Sequence, residues 1–367
     1  MAPCHGDHMQ NERPIYSRST SWRSVVALAA LVAVVVPVLV TAFAWPALRT
    51  APRDVPLVVA GPGAIADRAA RALDDARPGS FALEVVATPE EARERVLDRE
   101  AYGAVLLGPN GPEEVLVASA ASPAVAQLLA EAAEQGLAGP GTAGPGTAGS
   151  PSAPAVRVTD VAPTPPSDPR GAGVAAGALP LTLAGVLTGA LVSLRLRGVG
   201  RQLTAAVLAA ALVGPGVVAV LHGWLDALGG SVVAESGVVA LGVLAGALLV
   251  LGARALLGVA GFGLAAATLV LLGNPLSGAT SAPHLLPGGW SALGQALPPG
   301  ALVSALRGVS GFDGAGTGVP LLVLAAWVLA GATAVLAGAA VARRRAGAPT
   351  ADDTADSAPA AVVGGEP

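Results

Sequence analysis

Lysine is absent from this 367-residue chain, and all 21 basic residues are arginine. No G-x-x-x-x-G-K-[ST] loop occurs to cradle a nucleotide phosphate, so the chain is not expected to hydrolyse ATP by itself. The one cysteine, Cys4, excludes an intrachain disulfide and a thiolate metal cluster. Histidine is scarce as well. His5 and His8 lie beside Cys4 and only weakly suggest a metal tract, while His222 and His284 each stand alone in a loop. No histidine accompanies a nucleophile, and no catalytic, cofactor-binding or metal-ligating residue is expected. Charged residues make up 13% of the chain, against roughly a quarter in soluble domains. The formal net charge of -4 is too small to argue for a nucleic-acid partner.

What is present is apolar. A hydrophobic share of 53% and a mean hydropathy of +0.64 mark a membrane protein. Residues 1–23 form a polar tail carrying Arg13, Arg18 and Arg23, followed by an unbroken apolar run from Ser24 to Leu48. About 25 residues can span roughly 30 Å of hydrocarbon, whereas a signal-peptide core runs to about 7 to 15. The run reads as an uncleaved signal-anchor helix, with cleavage near AFAWPA as the alternative. Five further runs follow: Gly171–Leu194, Leu203–Leu221, Val232–Ala253, Ala255–Leu272 and Val319–Val341. Six crossings put both termini in the cytoplasm. Arginine agrees, since Arg195, Arg197 and Arg201 share one turn, Arg254 occupies another and Arg343 to Arg345 follow the last run. The acidic, Ala- and Pro-rich tail 343–367 is expected to be disordered.

Residues 49–170 form the one substantial water-soluble block. Apolar alternation predicts strands at Val55–Val59, Phe81–Ala87, Gly103–Leu107 and Glu114–Ala118, with helices at Ala64–Ala76, Thr88–Glu100 and Pro123–Gln135. Thr88-Pro89-Glu90-Glu91 supplies an N-cap, a first-turn proline and carboxylates at the positive end of the helix dipole. A last strand is expected from Val156. The Gly/Pro repeat within 138–155 has little to pack and reads as a flexible linker. The fold class is thus an α-helical polytopic membrane protein of six transmembrane helices, with a small extracytoplasmic α/β domain between helices 1 and 2. Residues 171–342 supply the other five helices.

The stretch 274–317 sits between the last two runs and is too apolar for a solvated linker. Asn274-Pro275, Pro283, Pro287-Gly288-Gly289 and Pro298-Pro299-Gly300 break it into short helices at Trp290–Leu297 and Ala301–Val309. Broken helices at membrane depth persist where protein or a water-filled cavity supplies the missing backbone partners. The stretch is therefore a candidate outer gate, with Trp290, Pro298, Pro299, Gly300 and Arg307 as its residues; a passive cap is the alternative. Gly300 is expected to allow a backbone reversal, and Arg307 to reach water or lipid phosphate at the interface. Ionisable residues are nearly absent from the spans, and Glu235 reads as a carboxylate facing water at a helix end. Ion-driven transport is disfavoured accordingly. Gly185-x-x-x-Gly189 and Gly242-x-x-x-Gly246 would allow close helix approach.

Three segments carry a resemblance: TPEEARERVLDREAYGAVLLGP, ALPLTLAGVLTGALVSLRLRG and NPLSGATSAPHLLPGGWSALGQALPPGALVSALRGVSGFDG. With one anchor helix, an outer domain and five more helices, the chain resembles the ABC type-2 permease family. More narrowly, it is similar to actinobacterial relatives of the phage-infection-protein (YhgE/Pip) group. The resemblance implies a membrane-spanning permease subunit of an ATP-driven exporter in the plasma membrane. Its partners would be lipid, a cytoplasmic ABC ATPase meeting the turn of Arg195, Arg197 and Arg201, and a second permease chain in a homodimer or heterodimer. A hydrophobic or lipid-like compound suits the uncharged spans. The competing reading is a non-transporting envelope scaffold or surface receptor.

Overall fold

The computed structural model describes residues 21–109, 111–134 and 156–346. The Gly/Pro linker, nearly all of both tails, and Cys4, His5 and His8 lie outside the described residues.

The water-soluble block builds a five-stranded sheet of order β2-β1-β3-β4-β5. Its strands are β1 (Val55–Ala60), β2 (Phe81–Val86), β3 (Gly103–Gly108), β4 (Gly111–Val117) and β5 (Arg157–Asp160). Helices α2 (Gly63–Ala76) and α3 (Pro89–Leu97) make the crossovers that set β1 parallel to both β2 and β3. A hairpin then turns β4 antiparallel to β3, and β5 returns parallel to β4. Side-chain alternation divides the core. Val58, Ala60, Ala104 and Leu106 face Ala92 and Val96 of α3, while Val55, Leu57, Val105 and Val115 face Leu129 of α4 (Pro123–Glu134). The Thr88 hydroxyl caps α3 by accepting from the Glu91 amide at 3.2 Å, with Pro89 in the first turn and Glu90 and Glu91 beside it.

Among the described residues five helices are long and apolar enough to cross a membrane: Trp22–Leu48, Ala172–Arg195, Val199–Trp224, Val232–Gly273 and Gly318–Arg344. They correspond to α1 (Trp22–Leu48), α5 (Ala172–Arg195), α6 (Val199–Val218), α7 (Val232–Ala267) and α10 (Gly318–Ala346). Two expected runs fall within the 42 residues of Val232–Gly273. Drawn straight, these would reach about 63 Å, twice the hydrocarbon thickness. They are not straight. Gly258 takes φ 66° and ψ -140°, and a Cβ on Gly261 would collide with the Ala253 carbonyl. Val250 shares a buried cluster with Ala265 and Leu269, which a straight helix would hold about 22 and about 28 Å away. The chain reverses at Gly258.

The first leg of α7 is the hub of the bundle, and glycine is what lets its neighbours approach. A Cβ on Gly185 would lie 3.2 Å from the Gly246 Cα, and one on Gly189 would lie 2.7 Å from both the Ala247 carbonyl and the Val250 Cβ. Gly252 meets Gly331 and Ala334 of α10 in the same way. Gly185 of the first small-residue motif therefore meets Gly246 of the second across the α5/α7 contact, while Gly242 turns to α9. Lipid gives helices no hydrophobic reason to associate, so such close packing carries the contact.

Candidate functional site at the junction of the sheet domain and the helix bundle

The stretch after α7 is a seam joining the sheet domain to the bundle. It begins with a 3-10 turn, Pro275–Ser277, after which Gly278 enters the left-handed region at φ 70°. There it abuts Pro283 too closely to admit a Cβ. Two short helices follow, α8 (Trp290–Ala296) and α9 (Pro298–Gly311). Pro298 and Pro299 occupy the first positions of α9, where a missing N–H costs nothing and the fixed φ suits the helix.

The reversal between α8 and α9 lies at Leu297, which is extended with φ -95° and ψ 150°. Gly300 was expected to supply it and does not, because it sits in the first turn of α9. It is small for another reason: a Cβ there would strike the Gly294 carbonyl of α8. Pro299 packs on Gly273, and Leu302 fills the space above Gly242. Trp290 stands edge to face with Trp45 of α1, 5.7 Å between centroids, and the Trp327 indole N–H donates to the Ala296 carbonyl at 2.8 Å.

Arg307 is also not where the sequence suggested. Rather than reaching the interface, it is 6% exposed, and its guanidinium donates to the Gly278 and Ala279 carbonyls at 3.1 and 2.7 Å. The turn at Gly278 exposes these consecutive carbonyls, and a planar fork can take both where a snorkelling stem would reach neither. Burial lowers the Arg307 pKa to about 10, and nearby Arg99 acts in the same direction. It remains a cation at neutral pH.

Three contacts missed in the sequence come from the sheet domain. Arg99, in the left-handed region at φ 62°, donates to the Ser304 carbonyl at 3.0 Å and lies over the Phe312 ring at 5.4 Å. Desolvation lowers its pKa. Arg53 donates to the Leu286 carbonyl at 2.9 Å, and the buried Ser122 hydroxyl to that of Ser281 at 3.0 Å. His284 is not isolated either. It stands edge to face with Tyr102, and its Nδ1 is 3.4 Å from the phenol oxygen. Burial lowers the His284 pKa, opposed by Asp54, and raises that of Tyr102, opposed by Arg307 and Arg99.

Glu235 needs a similar correction. Its side chain is fully buried, accepting from the Gly230 amide at 3.0 Å and sitting 2.8 Å from His222 Nδ1. The signal was available: His222 ends one helix and Glu235 opens the next, so a hairpin brings them together. The arginine turn behaves as a loop at the other end of the bundle. Arg195, Arg197 and Arg201 are exposed there, and Gly338 against Ala255 places the Gly258 turn and the end of α10 at that end too.

Two spaces flank α9. One, of about 10 Å³, lies against Pro298, Pro299, Thr182, Gly242 and Gly246, and at best holds a single water. The other is a half-open cleft of about 800 Å³ between the sheet domain and the bundle ends. Asp98, Val161 and Pro165 line it from the domain, and Val174, Leu228 and Arg307 from the bundle. No group of three or more His, Cys, Asp or Glu among the described residues is placed to hold a metal ion. Comparison with family models, with curated proteins and with solved structures returns no match, so the function must be argued from this junction.

Proposed function

We propose that this protein is the membrane-spanning permease subunit of an ATP-driven exporter, of the kind that type-2 ABC permeases represent. It moves a hydrophobic or lipid-like compound across the plasma membrane. The observation that carries this reading is the pairing of a shut passage with an open one. Space beside Pro298 and Pro299, at the start of α9, is reduced to about 10 Å³, while a cleft of about 800 Å³ opens at its end, beside Arg307 and Ser310. A closed gate beneath an outward vestibule has this form. In this reading the reversal at Gly258 makes six crossings, both termini are cytoplasmic, and the sheet domain lies outside. A cytoplasmic ABC ATPase docks on the turn of Arg195, Arg197 and Arg201, and a second permease chain completes the pathway.

Co-purification from native membranes in mild detergent, together with deletion of the chain, tests the proposal. A bound ATPase and an export defect are expected. Loss of both would leave the scaffold or receptor reading ahead, a reading favoured by the way Arg53, Arg99 and Ser122 fix the outer domain to the bundle. Topology is read with single cysteines in a Cys4-free background at Asp75, Thr280 and Gly200, all exposed. An impermeant thiol reagent should label the first two in intact cells. Labelling of Gly200→Cys instead would invert the arrangement.

A further inference from the structure

The cleft has a charge pattern that its size alone does not explain. Asp98 at the end of α3, Asp226 in the loop before α7 and Asp313 just after α9 all line it, and all three are exposed. They arrive from three parts of the chain. Among the described residues none of them forms an ion pair. Asp226 accepts a hydrogen bond from the Ser167 hydroxyl at 2.8 Å, which leaves its charge uncompensated. Among the described residues Arg307 is the one cation in the lining, with Arg99 behind Phe312, and both terminal nitrogens of Arg307 donate to the Gly278 and Ala279 carbonyls. Between the carboxylates the walls mix the rings of Pro163, Pro165 and Pro166 and the apolar side chains of Val174, Leu228 and Phe312 with the hydroxyl residues Ser119, Thr164 and Ser310.

A cleft of about 800 Å³ falls in the range of small-molecule sites, which are mostly apolar with a few converging polar groups. An anionic or zwitterionic lipid head would meet three carboxylates and find no free donor fork. A bulky apolar body bearing one positive charge meets neither obstacle. From this geometry we infer that the cleft between the sheet domain and the bundle is a binding site for monocationic amphiphiles, held by Asp98, Asp226 and Asp313. The inference rests on the export reading in naming that exporter's substrate class, but the site itself needs no ATPase to be occupied. Proline walls keep it open without a ligand, so little ordering accompanies binding.

The test uses the purified full chain in nanodiscs, with equilibrium dialysis of tetraphenylphosphonium and of tetraphenylborate, which have nearly the same shape and opposite charge. Empty nanodiscs give the partition background. Saturable binding of the cation, weakened by added salt, is expected, with only background uptake of the anion. Changing Asp98, Asp226 and Asp313 together to asparagine, which also tolerates the left-handed backbone at the latter two, should weaken binding by about tenfold or more. Pro166→Trp, at an exposed lining position, should narrow the cleft and weaken binding with the charge unchanged. Should the triple variant fail to fold, Asp98→Asn and Asp313→Asn singly carry the charge test, each expected to weaken binding about threefold. Equal saturable binding of both ions overturns the inference, as does unchanged cation affinity in the folded asparagine variants. Cation binding without export would sink the transport reading alone, and export without cation binding would sink this one alone.

Discussion

Replacing Arg307 separates a buried structural cation from an interfacial anchor. In Arg307→Ala the Gly278 and Ala279 carbonyls, both in buried residues, lose their donors where water does not replace them. An unsatisfied buried polar group costs about 1–3 kcal/mol, so two give about 2–6 kcal/mol. Removing the guanidinium also ends its own desolvation, already visible in the lowered pKa, which offsets part of that and brings the expected loss to about 2–4 kcal/mol. Arg307→Lys keeps the charge but has no planar fork, and should fall between wild type and alanine. The assay is thermal unfolding of the detergent-solubilised chain, followed by limited proteolysis across residues 278–289. The alanine variant should melt several degrees lower and be cut first in that segment. A melting temperature within error of wild type, with unchanged cleavage, would refute the assignment and restore the exposed anchor, whose loss costs little.

Gly189→Val should separate α5 from α7, because a Cβ there already meets the Ala247 carbonyl and Val250 at 2.7 Å; the monodisperse peak on size exclusion should shrink, and Gly200→Ala, in open space, should not change it. Since burial lowers the His284 pKa, the unfolded chain binds more protons there. The contribution from His284 is whole above its ordinary value of about 6.5 and is lost as pH falls through the folded value. Hydrogen exchange in 282–287 should therefore quicken at acid pH, and His284→Phe should remove that dependence. Changing Pro298 and Pro299 to alanine should not fuse α8 to α9, because the break lies at Leu297. It should loosen the first turn of α9 by about 1 kcal/mol, seen as altered export at matched membrane abundance, and identical export would argue for a passive cap.

The parts of this fold written in local patterns were legible in the sequence. Strands β1 to β4 begin within one residue or a few of the alternating runs that announce them, and the Thr88 cap is visible in four consecutive letters. The membrane runs are equally plain, since hydrophobicity at that length has few other uses. The failures share a cause. Arg99 and its acceptor at Ser304 are 205 residues apart, and no periodicity links an arginine to a backbone carbonyl. Arg307 was assigned to the interface because a lone cation in an apolar loop has no visible partner in sequence; its partners are peptide groups, which every residue has. Gly300 was given a conformational role when its role is steric, and the two cannot be told apart without knowing that α8 lies against it.

The same chemistry sets how the seam can move. Breaking the backbone between α7 and α10 leaves carbonyls without helical partners, and burial requires that each find a donor. Arginine supplies them here, Arg53 to Leu285 and Leu286, Arg99 to Ala315, and Arg307 to Gly278 and Ala279, while Arg99 also reaches the Ser304 carbonyl within α9. Two of these three come from the sheet domain, so that domain is tied to α9 and its preceding loop by charge-assisted bonds, each worth about 1.5–3 kcal/mol. On its other side α9 meets the bundle through Leu302 over Gly242, a contact of apolar surfaces. Parting that face in a lipid-filled membrane exposes groups which hydrocarbon tails cover almost as well as protein does. If α9 moves, it therefore separates from α7 and travels with the sheet domain. A disulfide joining the sheet domain to α9 should then leave export intact, whereas one joining α9 to α7 should stop it, and arrest by the first with activity in the second would reverse the direction of motion.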